Sequence, residues 1–265
     1  MKKIVITGAG RGVGRALSLA FAVPGMSLVL ISRSLPTLED VARLCIAQGA
    51  SVTVYACDIQ DRARLAAILL AEDDRSPVDC VIANAGLSGG NRIDGTAETR
   101  STTEALADVN FTGAILTAST LLDRMKQRRS GHIVFIGSVM GLVGFPHSPT
   151  YCASKAGLGI YADAIRVWLS PFSVHVSMAY LGYVDTDMSR RLETPKPFML
   201  TPEAAAQRIV RGIRNKRAVI PVPGLYYWAT RLMTWVPSFI LRPILLKTLI
   251  DVPPPFGVGS EDNVK

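Results

Sequence analysis

Histidine and cysteine are scarce in this sequence, which holds only three histidines and four cysteines among 265 residues. No HxxxH or CxxC pattern joins them, and zinc sites depend on ligands at such spacings. The sequence therefore predicts neither a structural nor a catalytic metal. Each cysteine has apolar neighbours, so we expect all four to be small buried hydrophobic residues. They are Cys45, Cys57, Cys80 and Cys152.

Long uninterrupted apolar runs are also missing. At the N-terminus only residues 4–6 form an apolar run, which is too short for the hydrophobic region of a signal peptide, so we expect a cytoplasmic protein. Residues 224–250 are rich in aromatic and aliphatic side chains, but charges and prolines interrupt them and argue against a transmembrane helix. The interrupting residues are Arg231, Pro237, Arg242, Pro243 and Lys247.

Aromatic residues are absent from the basic clusters of the chain. The formal net charge is +8, and Lys and Arg are concentrated at 126–129, 190–191 and 211–217. Such clusters could face nucleic acid or an anionic membrane. Because no aromatic side chain is interleaved with them and no zinc-finger or RNP-like motif occurs, we predict no nucleic-acid partner.

The sequence does contain a regular alternation of short β-branched apolar runs and longer amphipathic stretches. This pattern is typical of a parallel sheet with helices on both faces. We therefore predict an α/β fold, a Rossmann-type doubly wound parallel sheet of about seven strands. The predicted strands are 3–7, 27–31, 51–56, 80–83, 132–136, 173–179 and 218–221. The predicted helices are 12–21, 37–48, 61–71, 102–126, 151–169 and 202–214.

The domain organisation predicted from this pattern is simple. No internal repeat or low-complexity segment separates domains, so residues 1–223 are predicted to form one dinucleotide-binding and catalytic domain. Residues 224–252 form an apolar, aromatic extension, for which a substrate lid, a subunit interface and a membrane-surface segment all stay open. Residues 253–265 are polar and proline-rich, and we expect a mobile tail there.

A glycine-rich turn follows the first predicted strand and leads into a helix. It reads Thr7-Gly8-Ala9-Gly10-Arg11-Gly12-Val13-Gly14. Glycines in this position let the backbone approach a pyrophosphate, and the helix N-terminus supplies unpaired N–H donors and a favourable dipole. The turn therefore predicts a dinucleotide site.

The end of the second predicted strand indicates which dinucleotide binds. A cofactor with a free 2′-hydroxyl would be expected to meet Asp or Glu there, but the chain has Ser32 and Arg33. The Arg33 guanidinium can pair with a 2′-phosphate, with Arg11 as a second cation and Ser32 as a hydrogen-bond partner. We predict NADP(H) as the cofactor.

These features, taken in order, resemble the short-chain dehydrogenase/reductase family over about the first 220 residues. The matching pieces are Thr7-Gly8-x-x-x-Gly12-x-Gly14, Asp58, Asn84-Ala85-Gly86, Asn110, Ser138 and Tyr151-x-x-x-Lys155. The resemblance implies that Asp58 and Ile59 flank the adenine, that Asn84 to Gly86 supports the sheet beside the cofactor, and that Val184 and Thr186 meet the carboxamide. The expected cofactor contacts are Gly8, Gly10, Arg11, Gly12, Val13, Gly14, Ser32, Arg33, Asp58, Ile59, Asn84, Ala85, Gly86, Tyr151, Lys155, Val184 and Thr186.

The chain departs from the family pattern at one position. The family usually has Pro-Gly just before the carboxamide contacts, whereas this chain has Leu181-Gly182. The resemblance also implies a homodimer or homotetramer that forms through the long 102–126 helix and the helix that carries Tyr151.

The proposed chemistry rests on Tyr151 and Lys155, which lie four residues apart and so project from one face of a helix. A free tyrosine has a pKa of about 10, and a neighbouring ammonium would lower it and suit the phenol to acid/base catalysis. In reduction Tyr151 would donate the proton, while Ser138 would hydrogen-bond the substrate oxygen. By resemblance, Lys155 would also hold the ribose hydroxyls and Asn110 would anchor a water that links Lys155 to solvent.

The sequence thus predicts an NADPH-dependent oxidoreductase that acts on a carbonyl or secondary alcohol. An apolar segment at 187–200 should border the substrate, which favours hydrophobic substrates. It contributes Met188, Leu192, Phe198, Met199 and Leu200. Two alternatives remain open: an NADPH-binding sensor or scaffold without turnover, and a membrane-peripheral enzyme of lipid metabolism whose residues 225–250 rest on an anionic bilayer. A hydrolase is disfavoured because no Gly-x-Ser-x-Gly motif occurs.

Overall fold

The computed structural model describes residues 1–255, and its centre is a sheet of seven parallel strands. Along the sheet their order is β3-β2-β1-β4-β5-β6-β7, which confirms the predicted doubly wound α/β fold. The strands are β1 (Lys3–Thr7), β2 (Ser27–Ser32), β3 (Ser51–Ala56), β4 (Cys80–Ala83), β5 (Gly131–Ser138), β6 (Val174–Leu181) and β7 (Val219–Val222).

Helices cover both faces of this sheet. Those of the α type are α1 (Gly12–Phe21), α2 (Leu35–Ala47), α3 (Arg62–Arg75), α4 (Arg100–Ala107), α5 (Ala114–Ser119), α6 (Leu122–Gln127), α7 (Pro149–Leu169), α8 (Asp187–Arg190), α9 (Pro202–Arg214), α10 (Gly224–Met233) and α11 (Ser238–Leu246). One face is covered chiefly by α1, α2 and α9, and the other by α3 to α7.

The apolar strands are buried on both sides, as a fully covered parallel sheet requires. In β1, for example, Val5 belongs to one core cluster while Ile4 and Ile6 belong to the other, and all three side chains are fully buried. Because successive residues of a strand point to opposite faces, one short apolar run supplies both layers of the core.

The order of the strands places a crevice beside β1. The chain runs outward from β1 through β2 to β3, then returns to pair β4 with the other edge of β1. At such a reversal the loops that follow the two strands diverge, and ligands bind at the carboxyl ends of the strands. Thr7 ends β1 and Ala83 ends β4, so the glycine turn and Asn84 both lie at this crevice.

The prediction of a single helix at 102–126 is wrong, because the structure has four shorter helical segments there. After α4, residues Asp108–Gly113 form a π-helical turn, and α5 and α6 follow with a second break between them. The hydroxyls of Thr117 and Thr120 donate to carbonyls four residues earlier, at 2.7 Å in each case, which is a known cause of bending. Apolar periodicity alone does not reveal such breaks.

The C-terminal extension contains two helices, α10 and α11, for which no helix was predicted. The chain then continues past residue 247 back toward the α/β core, where Val252 and Pro255 are buried and Pro255 packs beside Gly89. The carbonyl of Pro254 also accepts a hydrogen bond from Arg191 at 2.7 Å. The first residues of the expected mobile tail therefore contact the body of the protein, while 256–265 lie outside the described residues.

The cysteines behave as the sequence predicted. All four are buried with free thiols, and burial raises the pKa of the Cys45 thiol to about 11. Within residues 1–255, no group of three or more His, Cys, Asp or Glu side chains could hold a metal ion.

Candidate functional site

The glycine turn wraps the start of α1 so closely that side chains do not fit. A Cβ on Gly14 would lie 2.1 Å from the carbonyl oxygen of Gly8, and Gly12 adopts a φ of +54°, which favours glycine. Arg11 precedes the helix in an extended conformation and does not cap it with its side chain. The N–H groups of the first helical turn are therefore available to an anionic group, and this arrangement fits a pyrophosphate.

Asn84 ties this turn to the neighbouring strand. Its Nδ2 donates to the carbonyl oxygens of Thr7 at 2.9 Å and Gly8 at 3.2 Å. In the same direction, the backbone N–H groups of Asn84 and Ala85 donate to Thr7 Oγ1 at 3.1 and 3.2 Å. The two strands that flank the crevice are thus joined at its floor, where the sequence had placed Asn84 by resemblance.

The end of β2 lies beside the glycine turn. A Cβ on Gly10 would come within 3.0 Å of Ser32 Oγ and 2.4 Å of Thr37 Oγ1, so Ser32 faces the turn. Arg33 is partly exposed, with its Nη1 4.0 Å from Asp58 Oδ2 at the end of β3. This distance is at the limit of an ion pair between two solvent-accessible groups, and such pairs contribute little. The guanidinium can therefore turn toward an incoming anion at small cost.

Ser138, Tyr151 and Lys155 converge on the far side of the crevice, at the end of β5 and on the first turns of α7. Lys155 is buried and donates from Nζ to the carbonyl oxygen of Ile136 at 3.0 Å. Its Nζ lies 6.0 Å from the centre of the Tyr151 ring. Ser138 is buried and accepts from the backbone N–H of Met140 at 3.1 Å. The three predicted catalytic side chains are therefore neighbours.

Burial dominates the protonation of this pair. It raises the pKa of Tyr151 to about 12, against an opposing effect of the hydrogen bond with Ser138, and it lowers the pKa of Lys155 to about 8. The direction for Tyr151 is opposite to the one expected from a nearby ammonium, because removing the phenolate from water is unfavourable. Tyr151 is a neutral phenol at neutral pH, which is the form that can donate a proton.

Asn110 lies in the π-helical turn and is fully buried. Its Oδ1 accepts from the N–H of Leu87 at 2.8 Å, and its Nδ2 donates to the carbonyl of Leu87 at 2.9 Å. A Cβ on Gly86 would lie 3.2 Å from Asn110 Oδ1 and 3.6 Å from Lys155 Nζ. Asn110 therefore holds the loop after β4 beside Lys155 through its two hydrogen bonds to the backbone of Leu87.

The segment after β6 reaches across to the glycine turn. Val184 is buried and forms a parallel bridge with Leu200. Thr186 caps α8 together with Ser189, and its Cγ2 would lie 3.2 Å from a Cβ on Gly12. Ile59, another expected contact, is buried against Gly113 on the opposite side of the crevice. These positions flank the crevice on both sides.

Comparison with known proteins agrees with this geometry. The family model for short chain dehydrogenase matches residues 2–197. This chain belongs to the short-chain dehydrogenase family. It is 33% identical to the ketoacyl reductase HetN of Nostoc sp. over 228 residues, which is 83% of this chain and 78% of that protein.

Solved structures are similar over most of this short-chain dehydrogenase. One is a short-chain dehydrogenase from Sphingobium yanoikuyae in complex with NADPH, with a TM-score of 0.78, 25% identity and coverage of 94% of this chain and 96% of that one. Another, from Mycobacterium paratuberculosis and bound to NAD, shares the fold with a TM-score of 0.73, 23% identity and coverage of 83% and 96%.

In this short-chain dehydrogenase, the chain departs from the family pattern at Leu181-Gly182. An aromatic side chain of the C-terminal extension packs against the backbone there. A Cβ on Gly182 would lie 2.8 Å from Tyr226 Cδ2. The Tyr226 ring also meets Tyr183 and Phe198, with centroids 5.9 and 6.4 Å apart, and its hydroxyl donates to the carbonyl of Pro197. The sequence singled out the aromatic extension that carries Tyr226 and left a substrate lid open for it, but it gave no sign that Tyr226 packs on Gly182.

An apolar cavity of about 550 Å³ was also not predicted. It lies between α11, the loop after Ser138 and a face of α7 that carries Cys152, Ala153 and Ala156. Those residues project away from the helix face that carries Tyr151, since each residue turns a helix by about 100°. Ser138, Tyr151 and Lys155 do not line this cavity.

Proposed function

We propose that this protein is an NADP(H)-dependent oxidoreductase that interconverts a carbonyl and a secondary alcohol of a hydrophobic substrate. The observation that carries the proposal is the convergence of Ser138, Tyr151 and Lys155 across the crevice from a glycine turn whose helix N-terminus fits a pyrophosphate. When bound, the nicotinamide supplies or accepts the hydride.

The protein's own groups handle the substrate oxygen and its proton. Ser138 donates a hydrogen bond to the carbonyl oxygen and orients it, which stabilises the negative charge that develops during reduction. Tyr151, held neutral by burial, donates its proton to that oxygen. Lys155, fixed by the Ile136 carbonyl, offers its remaining N–H donors to the ribose hydroxyls. In the oxidation direction the proton moves the opposite way.

A panel of ketones and β-keto lipids tests this function directly. We expect the protein to consume NADPH, measured by its absorbance, with at least one hydrophobic ketone, and to favour apolar over small polar substrates. Tight NADPH binding measured by titration, with no consumption on any member of a broad panel, would instead favour a cofactor-binding sensor or scaffold.

The preference for NADP(H) is attributed to Arg33, with Ser32 and Arg11 beside it. Replacing Arg33 with Ala should weaken NADPH binding about tenfold to a hundredfold and leave NADH binding nearly unchanged, because a charge-assisted hydrogen bond contributes about 1.5 to 3 kcal/mol. Titration calorimetry with both cofactors measures the two affinities.

Arg43→Ala is the matched control for this change, since Arg43 is an exposed arginine of α2 that pairs with Asp40. It should alter neither affinity. If Arg33→Ala weakened NADH and NADPH binding equally, or if the parent bound both cofactors with the same affinity, the assignment of Arg33 to the 2′-phosphate would be wrong.

The substrate pocket, the assembly and the location follow from the same proposal. Phe198 and Met199 are exposed beside the crevice segment and offer an apolar border to the substrate. On α7, Ile160, Val167 and Trp168 are exposed side chains, which supports a homodimer or homotetramer that forms through this helix. We propose a cytoplasmic enzyme with these properties.

A further inference from the structure

The outer face of α10 is apolar at the spacing that normally faces a protein core. Leu225, Trp228, Ala229 and Leu232 recur at i, i+3, i+4 and i+7, and all four are exposed. Such a stripe usually packs against the rest of the protein. The inner face of α10 already does so through Tyr226 and Tyr227, so the outer stripe has no partner among residues 1–255.

The next helix is apolar and exposed as well. In α11 no residue is buried, although its sequence is SFILRPILL, and Trp235 before it is 83% exposed. Exposed apolar side chains are common singly, whereas contiguous patches mark interaction sites. The surface, named here the α10–α11 surface, consists of Leu225, Trp228, Leu232, Trp235, Phe239, Ile240, Ile244 and Leu246.

The charge of this region is entirely of one sign. Residues 224–250, which include both helices, contain three Lys and Arg and no Asp or Glu. These cations, Arg231, Arg242 and Lys247, stand among the apolar side chains of the two helices and are exposed. No carboxylate of residues 1–255 pairs with them.

We propose that the α10–α11 surface docks on an anionic lipid bilayer. Trp, Phe and Leu side chains insert at the level of the headgroups while the neighbouring cations meet the phosphates. A second copy of this chain fits less well, because a two-fold contact would bring the same three cations against themselves. The helices lie on the membrane, since no helix among residues 1–255 is long and apolar enough to cross one.

The inner face of α10 connects this surface to the active site. Tyr226 contacts Gly182 and Tyr183, which precede the carboxamide contacts, and Phe198, which lies in the segment expected to border the substrate. Docking therefore presents the substrate side of the crevice to the bilayer. This consequence rests on the proposed function, whereas binding to lipid can be measured without any turnover.

Sedimentation with vesicles tests the proposal on the full chain. The parent should sediment with vesicles of mixed phosphatidylcholine and phosphatidylserine at low salt, and far less with pure phosphatidylcholine or at high salt. Trp235→Ser combined with Phe239→Ser should weaken partitioning at least about tenfold. Arg242→Glu combined with Lys247→Glu should weaken partitioning to anionic vesicles only.

Ile46→Ser is the matched control, because Ile46 is an exposed apolar residue of α2, and it should sediment like the parent. NADPH binding by every variant shows that the fold is retained. Failure of the parent to sediment with anionic vesicles at low salt, or equal sedimentation of the Trp235/Phe239 variant, would overturn the proposal. So would a loss of oligomers in that variant without lipid, which would assign the surface to a second copy.

Discussion

Replacing Tyr151 with Phe is expected to lower kcat by about three orders of magnitude, the size of a lost general acid. The phenylalanine ring keeps the packing of the partly buried tyrosine, and only the hydroxyl that meets Ser138 is removed. NADPH binding should therefore stay within about threefold of the parent. Initial rates of NADPH consumption and a separate cofactor titration give the two quantities.

Tyr161→Phe offers a control on the same helix. Tyr161 is a partly buried residue of α7 whose ring packs edge-on against Phe135, so its hydroxyl should be dispensable for turnover. Equal losses of kcat in the two variants would mean that the effect is not specific to the Tyr151 hydroxyl, and a Tyr151→Phe enzyme with parental kcat would exclude Tyr151 as the acid.

Lys155→Met is expected to abolish activity and yet stabilise the protein without cofactor. Burial lowers the pKa of Lys155 from 10.5 to about 8, which corresponds to about 3 kcal/mol of destabilisation when the group is charged at pH 7. Methionine has a similar shape without the charge, and the lost hydrogen bond from the ammonium to the Ile136 carbonyl costs about 1.5 to 3 kcal/mol. The expected gain in the free energy of unfolding is at most about 1.5 kcal/mol.

This gain should depend on pH in a defined direction. Between about pH 8 and pH 10.5 the unfolded lysine holds a proton that the folded lysine has lost, so the stability of the parent rises with pH through that window. The advantage of the Met variant should shrink accordingly. Urea unfolding of both proteins on either side of the window measures it, with exposed Lys2→Met as the control. An advantage that does not change with pH would contradict the assigned cause.

Several features of the fold could be predicted from local sequence. Short runs such as residues 4–6 and 80–83 are apolar throughout, and a strand covered on both faces explains such runs between amphipathic helices. The glycine turn could be predicted equally well, because close contacts at its glycine positions leave no room for side chains. These features depend on neighbours in the chain, which the sequence displays directly.

Features that depend on distant contacts could not be predicted in this way. The break at Asp108–Gly113 places Asn110 against Leu87, and periodicity in 102–126 gives no sign of it. The raised pKa of Tyr151 follows from burial, which depends on residues far along the chain. The apolar stripe of α10 was ambiguous because an identical pattern would describe a buried helix.

The hydrogen bonds of Asn84 have a consequence for the size of the ligand. They fix β1 to β4 at the crevice floor, so the separation between Arg33 after β2 and Ser138 after β5 is set by three strand spacings, about 14 Å. The sheet thus sets the distance between these two residues. A nicotinamide mononucleotide would reach Tyr151 and leave Arg33 without a ligand. An adenine nucleotide would reach Arg33 and leave Tyr151 without one. If Arg33 and Tyr151 both contact the cofactor, as we propose, only a complete dinucleotide is long enough to engage both.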